Sequence, residues 1–334
     1  MTFNRIVVPL DGTVEGESIL PLARTLALGS GARVELVHVV DPDEIVVTLP
    51  SIPTAGYTRR VVTKPRREPL HSQMSEMVKR RFDRYFHLIT ETFRDTCSEI
   101  TQHVLEGGAT QEILKFAGSS QDTLLAISTR SASTRNLLTA ARYPMLLNQS
   151  STKVPSSQDK AALSTVLVYL DGPRVAADVL PCAVGIARKF GLKLLLVAAI
   201  PGMPILYEEE DLANPGMDWR TSILESKAYL SEVQLSLASN ERQEVAVRIL
   251  GGDSETQILD LASEIPGCLV ALGSPGYSGM QRWLRGSVAD RVIRSSPAPV
   301  LAVRTNQEQD KSRGVRFLRR RFWQRNTPMV PQTS

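Results

Sequence analysis

The chain has 334 residues, 42% of them apolar and 22% charged, and 39 Lys and Arg against 35 Asp and Glu give a formal net charge of +4. This composition is that of a globular protein and excludes a disordered or fibrous chain, and the length predicts two domains. From Thr305 onward there are seven basic and two acidic residues, so this tail has a net charge of +5 and residues 1–304 have a net charge of −1. The pI near 9.0 therefore comes from the tail and does not indicate that the body binds nucleic acid.

In chain order, the first half alternates apolar runs with segments of helical periodicity. Strands are predicted near residues 4–10, 33–40, 99–106 and 122–127, and a helix over 78–93. Residues 41–72 are rich in Pro and Arg and are predicted to form a loop or a flexible lid. Residues 150–158, SSTKVPSSQ, are too polar to give this half a convincing last strand. The helix carries a stripe expected to face the core, formed by Val78, Phe82, Tyr85, Phe86 and Ile89.

The second half follows the same alternation with clearer boundaries. Residues 164–170 form a short β-branched apolar run, as expected for a buried parallel strand, and further strands are predicted at 193–200, 243–250, 267–272 and 299–303. Helices are predicted at 174–190, 218–239, 255–263 and from Ser287 onward. Gly191 is expected to end the first of these helices.

These two halves are copies of one module. Asp11 matches Asp171 and Gly31 matches Gly191 at an offset of 160 residues, whereas ILKFA at 113–117 matches ILDLA at 258–262 at an offset of 145. The first copy thus carries about 15 extra residues, which we place in 41–72. The pattern predicts an α/β fold of two tandem, doubly wound, five-stranded parallel sheets. The expected domains are 1–150 and 163–304, with a linker at 151–162 and a tail at 305–334.

The termini and the cysteines indicate the compartment. The start, MTFNRIVVPLDG, lacks the pattern of a signal peptide, and no stretch approaches 18 consecutive apolar residues. Cys97, Cys182 and Cys268 are far apart and are expected to be buried thiols in a reducing environment. The four histidines are scattered and form no metal-ligand pair with a cysteine. We therefore expect a cytoplasmic protein without a metal site of this kind.

A glycine-rich loop in the second copy is the strongest chemical motif. Residues 273–287, GSPGYSGMQRWLRGS, follow the fourth strand and contain the spacing Gly-x2-Gly-x9-Gly-Ser. Glycines let a backbone approach phosphate groups closely, and the helix start at Ser287 offers free N–H groups to an anion. Asp171 follows the first strand at the edge where such sheets bind ligands, within reach of a ribose hydroxyl or a magnesium ion. The alternatives are a simple turn at Asp171 and a degenerate loop that only caps the helix.

This spacing resembles that of the universal stress protein family, in particular its ATP-binding branch, over residues 164–304 and more loosely over 4–142. The resemblance implies a fold like that of the adenine nucleotide alpha-hydrolases and ATP, with Mg²⁺, bound in the second domain. Tyr169 stands where the family often has proline, and Pro275-Gly276-Tyr277 replaces a frequent His-Gly-Arg, for whose arginine Arg282 or Arg285 could substitute. By resemblance, the ATP-contacting positions are Tyr169, Leu170, Asp171, Ala199, Leu272, Gly273, Gly276, Gly286, Ser287 and Val288.

The first copy departs from this motif. At the offset of 145, the three glycines become Ser128, Ser131 and Ala141, and the serine becomes Arg142. Side chains then stand where phosphates would lie, and Asp11 alone does not make a nucleotide site. We expect the first domain to contain a degenerate site that does not bind ATP in the family's manner.

No catalytic grouping is apparent in the sequence. The motifs GxxxxGK[ST] and HExxH are absent, and no Ser/His/Asp or Cys/His set can be assembled from motifs. We therefore expect a non-enzymatic, ATP-binding regulatory protein of the stress response, with at most slow, incidental hydrolysis. The alternative is a tandem scaffold that has lost nucleotide binding throughout.

The expected partners beyond adenine nucleotide are less specific. The two domains are expected to pair internally or in a homodimer, and no nucleic acid is expected. In the tail, GVRFLRRRFWQR at 314–325 places Val315, Leu318 and Phe322 at helical spacing among arginines. Such a segment can lie on an anionic membrane, pack on the body of the protein or stay disordered, and the sequence leaves these three open.

Overall fold

A computed structural model describes residues 3–40, 46–47, 60–61, 68–93, 99–118, 122–130, 134–141, 143–149, 163–170, 173–204, 219–238, 243–275 and 288–305. Contacts divide the chain into two compact units, of which the first comprises residues 1–162 and 293–302 and the second residues 163–292 and 303–334. No helix among the described residues has both the length and the hydropathy needed to cross a bilayer.

The first unit alternates strands and helices from its N-terminus. The elements in chain order are β1 (Arg5–Pro9), α1 (Val14–Glu17), α2 (Leu20–Ser30), β2 (Arg33–Val40), β3 (Val46–Val47), β4 (Arg60–Val61), α3 (Glu68–Thr92), β5 (Ile100–Glu106), α4 (Ala109–Ala117), β6 (Thr123–Ser128), α5 (Thr134–Ala140) and β7 (Met145–Asn148).

Five parallel strands form the sheet of this unit, in the order β7-β6-β1-β2-β5. Arg5 lies in register with Arg33 on one side and with Thr123 on the other, so β1 occupies the centre. All of β6, and β1 from Ile6 onward, are buried, as expected for parallel strands covered on both faces. The predicted five-stranded parallel sheet is confirmed here.

The last strand of this sheet lies upstream of the place considered in the sequence. It is β7, with the sequence MLLN, which ends at Asn148. Residues 150–158 lie outside the described residues. Pro144 directly precedes Met145 of β7, just as Pro299 directly precedes Val300 of β12, and this parallel between the copies was the available signal. Met145, Leu146 and Leu147 are all buried, which explains why a four-residue strand suffices.

The second unit repeats this alternation. Its elements, together with the last strand of the chain, are β8 (Thr165–Tyr169), α6 (Pro173–Phe190), β9 (Lys193–Ile200), α7 (Trp219–Ala238), β10 (Val245–Gly251), α8 (Ser254–Glu264), β11 (Cys268–Pro275), α9 (Val288–Ser295) and β12 (Val300–Thr305). The strands β10-β9-β8-β11 follow one another in this order and pair in parallel. Every strand and helix predicted for this half is present within a few residues of the expected bounds.

Strand register fixes how the two copies correspond. Arg5 pairs with Arg33 as Thr165 pairs with Lys193, which gives an offset of 160, and Val34 pairs with Ile100 as Leu194 pairs with Val245, which changes the offset to 145 at the third strand. The extra residues of the first copy therefore lie between β2 and β5, as predicted. Val46–Val47 and Arg60–Val61 pair antiparallel within the 41–72 segment. The rest of that segment up to Arg67 lies outside the described residues.

Strand β12 divides between the two units. Within the first unit, Val300, Leu301 and Ala302 pair antiparallel with Leu147, Leu146 and Met145 of β7. This is the one antiparallel ladder among the described residues besides the β3–β4 pair.

Several local predictions are confirmed by the packing. Gly191 ends α6 in the left-handed conformation, with φ of 64°, which a glycine adopts without a steric penalty. Of the predicted stripe on α3, the side chains of Phe82, Tyr85, Phe86 and Ile89 are buried. Cys182 and Cys268 are buried free thiols, whose pKa values burial raises to about 11 and about 12.

Gly251, at the end of β10, lies against the loop that follows β9. A Cβ atom there would overlap the carbonyl oxygen of Pro204 and lie 2.8 Å from its carbonyl carbon. Because these are backbone atoms, they cannot move aside as a side chain does. We expect Gly251→Ala to lower the free energy of unfolding by about 2 kcal/mol in urea denaturation.

The matched control is Gly108→Ala, at the start of α4, where the nearest atom to a new Cβ is the side-chain oxygen of Gln111 at 3.9 Å. Its stability should stay within about 0.5 kcal/mol of the wild type. Equal losses in the two variants would contradict the close approach at Pro204.

Candidate functional site

The carboxyl end of β8 is the point where the strand order of the second unit reverses. Chain order runs from β8 outward to β9 and β10 on one side, whereas β11 pairs with β8 on the other. At the last rung, Tyr169 lies in register with Val197 of β9 and with Leu272 of β11. The backbone N–H of Leu170 donates to the carbonyl of Val197 at 2.8 Å. Ligands of open α/β sheets bind at such a reversal, outside the carboxyl ends of the strands.

The structure brings some of the ten predicted contact residues together at this edge. Tyr169 and Leu272 are side by side and buried, Leu170 follows Tyr169, and Gly273 follows Leu272 within β11. Ala199 lies near the end of β9, in register with Leu250. Val288 is the first residue of α9. The other predicted residues, which are Asp171, Gly276, Gly286 and Ser287, lie outside the described residues.

No group of three His, Cys, Asp or Glu side chains in the described part of the chain is placed to hold a metal ion.

The connection that carries the glycines has no counterpart of equal length in the first copy. Residues 276–287 join β11 to α9, whereas residues 129–133 join β6 to α5. Leu137 of α5 and Val292 of α9 are both fully buried, and β7 and β12 begin at Met145 and Val300, so these elements match at an offset of 155. Between the matched pairs Ser128/Gly273 and Thr134/Ala289, the first copy has five residues and the second has fifteen, so the first copy is ten residues shorter here. The loops themselves differ by seven residues, because β11 extends two residues further than β6 and α9 begins one residue earlier than α5.

This shortening corrects the residue correspondence predicted from the sequence. Ala141 and Arg142 were matched to Gly286 and Ser287 at an offset of 145, but the structure places Ala141 after α5, buried, at the position matched to Ser296. Ser128 still matches Gly273, because β6 and β11 keep the offset of 145, whereas Gly286 and Ser287 have lost their predicted partners Ala141 and Arg142. That the first domain does not bind ATP stays a prediction, and it now rests on a missing loop.

Hydrogen bonds between side chains close the corresponding edge of the first unit. Ser18 Oγ donates to Ser128 Oγ at 3.1 Å, and Asn148 Nδ2 donates to the carbonyl of Ser18 at 2.8 Å. Thr134 Oγ1 donates to the carbonyl of Ser128 at 2.5 Å. The two bonds of Ser18 tie the carboxyl ends of β6 and β7 to the end of α1, and the bond of Thr134 ties β6 to the start of α5. The sequence reasoning missed them because the partners are up to 130 residues apart.

Asp11, the counterpart of Asp171, is engaged in local structure. Its Oδ1 accepts hydrogen bonds from the backbone N–H of Thr13 at 3.1 Å and from Thr13 Oγ1 at 2.6 Å. Thr13 is in turn the N-cap of α1, where its Oγ1 accepts from the N–H of Gly16 at 3.0 Å. A side chain at Gly16 would collide with the Asp11 carboxylate. In the first copy this aspartate therefore supports a helix start.

Two aromatic rings fill the space beside this aspartate. The rings of His38 and Phe82 stack with their centroids 3.3 Å apart and an angle of 10° between their planes. Phe82 Cζ lies 3.3 Å from where a Cβ of Gly12 would stand, so the ring covers the residue that follows Asp11. His38 Nδ1 lies 2.8 Å from the carbonyl oxygen of Leu10, and because a carbonyl only accepts, Nδ1 carries the proton.

The second copy holds small residues at the positions of both rings. Ala198 corresponds to His38 at the offset of 160 set by the strands. On the helices, Phe86 matches Leu230 and Ile89 matches Val233, since all four side chains are buried. This matches α3 to α7 at an offset of 144, so Ser226 takes the position of Phe82. The positions that hold stacked rings in the first copy are therefore held by Ala198 and Ser226 in the second.

Burial shifts the proton equilibria of two groups at the first-unit edge. Desolvation lowers the pKa of His38 to about 4, so its ring stays neutral at physiological pH. Glu17, whose carboxylate accepts a 2.8 Å hydrogen bond from Tyr85 Oη, has its pKa raised by burial, with a smaller contribution from Asp11. Both groups therefore favour the uncharged form in the folded chain.

Comparison with known proteins gives matches that run through both copies. A sequence model of the universal stress protein family matches residues 2–144 and again 163–304. A universal stress protein of Methanocaldococcus jannaschii is 24% identical over 146 residues, which cover 43% of this chain and 84% of that protein.

Solved structures match at the level of the fold. A universal stress protein of Archaeoglobus fulgidus aligns over 92% of this chain and all of its own, with a TM-score of 0.64 and 16% identity. A universal stress protein of the same organism, solved in complex with dAMP, aligns over 42% of this chain and 98% of its own, with a TM-score of 0.30 and 26% identity.

The half-buried histidine, whose ring is covered by Phe82, predicts a pH dependence of stability. Because the folded pKa of His38, about 4, is below the unfolded value near 6.5, unfolding takes up a proton between these pH values, and stability falls as pH falls. His38→Gln keeps an N–H donor but cannot titrate. Between pH 7.5 and 5, we expect the wild type to lose about 2 kcal/mol of unfolding free energy relative to this variant.

Urea denaturation across this pH range measures the difference. His87→Gln is the control, because His87 is exposed on α3 and should leave the pH dependence of the wild type unchanged. Glu17 acts in the opposite direction, since a raised carboxyl pKa favours the folded state as pH falls, but it is present in every variant and cancels from the comparison. Parallel pH profiles for the wild type and His38→Gln would contradict the buried neutral ring.

Proposed function

Because the chain belongs to the universal stress protein family, we propose that it is a regulatory protein that binds ATP, with Mg²⁺, in its second copy. The observation that carries this proposal is the contrast between the two strand-order reversals. One is filled by stacked rings and closed by a five-residue connection, whereas the other has Ala198 and Ser226 at those positions and a twelve-residue connection with glycines.

The proposed contacts divide by the chemistry they offer. Tyr169, Leu170 and Ala199 would contact the adenosine part from β8 and β9, and Asp171 would accept from a ribose hydroxyl or lie near the magnesium ion. Leu272 and Gly273 lead from β11 into the loop. Gly276 and Gly286 would let backbone N–H groups approach the phosphates, and Ser287 with Val288 would present the start of α9 to them.

We propose binding without rapid turnover. The motifs supply phosphate and ribose contacts but no general base, so ATP would bias the conformation or the partner surface of the protein. This suits a regulatory role in the stress response in the cytoplasm. Turnover faster than about 1 per second would argue for an enzyme instead.

The first copy favours a supporting role within the same proposal. Its own side chains close the edge at the ends of β6 and β7. This suits a scaffold role for the first copy, the role that the sequence also allows for the whole chain. We propose that the domains 1–150 and 163–304 pair with each other or in a homodimer, with the first contributing structure and the second the nucleotide.

Equilibrium binding of Mg·ATP to the full-length protein tests the site through a matched pair of variants. Asp171→Asn removes a charge proposed to contact the ligand, and it should weaken binding about tenfold, or about 1.4 kcal/mol. Asp11→Asn makes the same change at the corresponding position of the first copy and should leave the affinity unchanged.

The double variant Gly276→Val and Gly286→Val should abolish binding, because side chains would displace the phosphates. Absence of binding by the wild type would contradict the nucleotide proposal and favour a scaffold function for the whole chain. Equal weakening by the two aspartate variants, or full binding by the glycine variant, would show that ATP binds elsewhere.

A further inference from the structure

The outward face of α7 differs in kind from that of its counterpart α3. With the helices matched at an offset of 144, Arg80, Arg84 and Glu91 of α3 correspond to Leu224, Ala228 and Leu235 of α7. The α3 residues form a charged face of the sort that water solvates well. On α7, Leu224 is 49% exposed and Leu235 is 66% exposed.

These two leucines lie on one side of the helix. They are eleven residues apart, which is close to three full turns, and Ala228 stands between them, also exposed. The opposite side of α7 is buried through Ile223, Leu230 and Val233. The helix is therefore apolar on both sides, as a helix is when it packs against something on each.

Acidic residues flank this outward face. Glu225 and Glu232 are exposed along one flank of the leucines, whereas Arg220 and Lys227 are half-buried along the other. We call the surface formed by Leu224, Glu225, Ala228, Glu232 and Leu235 the α7 face. An occupant that suits it would place apolar side chains on the leucines and cations beside the glutamates.

We propose that the basic tail of this same chain, residues 314–325, docks on the α7 face. The tail sequence GVRFLRRRFWQR lies outside the described residues, and its pattern combines Val315, Leu318 and Phe322 at helical spacing with arginines at Arg316, Arg319, Arg320, Arg321 and Arg325. It is thus complementary to the α7 face in both apolar and charged character. The α3 face carries Arg80 and Arg84 where α7 has Leu224 and Ala228, and these two positive charges disfavour a basic occupant.

Chain length permits the contact. Strand β12 ends at Thr305, and the eight residues between it and Gly314 span up to about 30 Å when extended, which is about the diameter of a small domain. A short covalent connection also gives an effective concentration of order 1 mM, so a weak contact suffices to keep the tail docked. The proposal is independent of nucleotide binding.

Limited digestion of the full-length protein with trypsin tests the docking, because the tail offers a run of arginines to the protease. A docked tail is cleaved only when it opens, so the rate of cleavage at residues 316–325, followed by mass spectrometry, reports the open fraction. Leu224→Ser with Leu235→Ser should raise this rate about tenfold, as should Glu225→Lys with Glu232→Lys. High salt should raise it in the wild type.

The matched control is Leu28→Ser with Leu88→Ser, which changes two leucines of similar exposure on α2 and α3. All four substituted leucines are exposed, so the variants should fold. The control should be cleaved at the wild-type rate, and cleavage at the same rate in every variant would overturn the proposal.

Two further results would assign the tail to another occupant and so also overturn it. Protection that is lost on dilution would mean that the tail docks on a second copy of the chain. A tail that is cleaved rapidly in solution, but is protected equally in all variants by vesicles of phosphatidylserine and phosphatidylcholine, would mean that it binds an anionic lipid surface.

Discussion

The reversal of strand order at the first strand of each copy is the constraint on which the rest depends. Because β1 pairs with both β2 and β6, and β8 with both β9 and β11, the connections leave the central strand in opposite directions. Their loops separate at the carboxyl ends of these strands and leave a crevice. Backbone groups at such an edge need partners, which come from the chain's own side chains, from water or from a ligand.

The two copies meet this need in different ways. In the first, Ser18, Ser128, Asn148 and Thr134 bond to one another across the strand ends, and His38 stacks on Phe82 beside Asp11. Burying that imidazole is tolerated because it stays neutral and its Nδ1–H is bonded to Leu10. The second copy has neither ring and a longer loop. The same strand register thus supports a closed edge in the first copy and an edge without these rings in the second.

Sequence reasoning predicted what depends on neighbours along the chain. Strand and helix bounds of the second copy followed from apolar runs and from Gly191, and the insertion followed from a change of offset. The loop correspondence failed because one offset was carried past β6, although Pro144 and Pro299 mark the next strands and reveal the ten-residue deletion. The stack of His38 on Phe82 was out of reach, because it joins a strand to a helix across the insertion and neither residue belongs to a motif.

A tandem repeat also supplies an internal reference for its own surface. Buried positions of α3 and α7 are apolar in both copies, as Phe86 and Leu230 or Ile89 and Val233 show, because each helix packs on the same sheet. Exposed positions have no such common demand, so a charged face is the ordinary outcome, and α3 has one. At the matching positions α7 instead exposes Leu224 and Leu235, and exposed apolar surface lowers solubility unless something covers it. The tail combines apolar residues at helical spacing with arginines, so the proposed docking would cover the leucines by the same burial of apolar surface that packs the core.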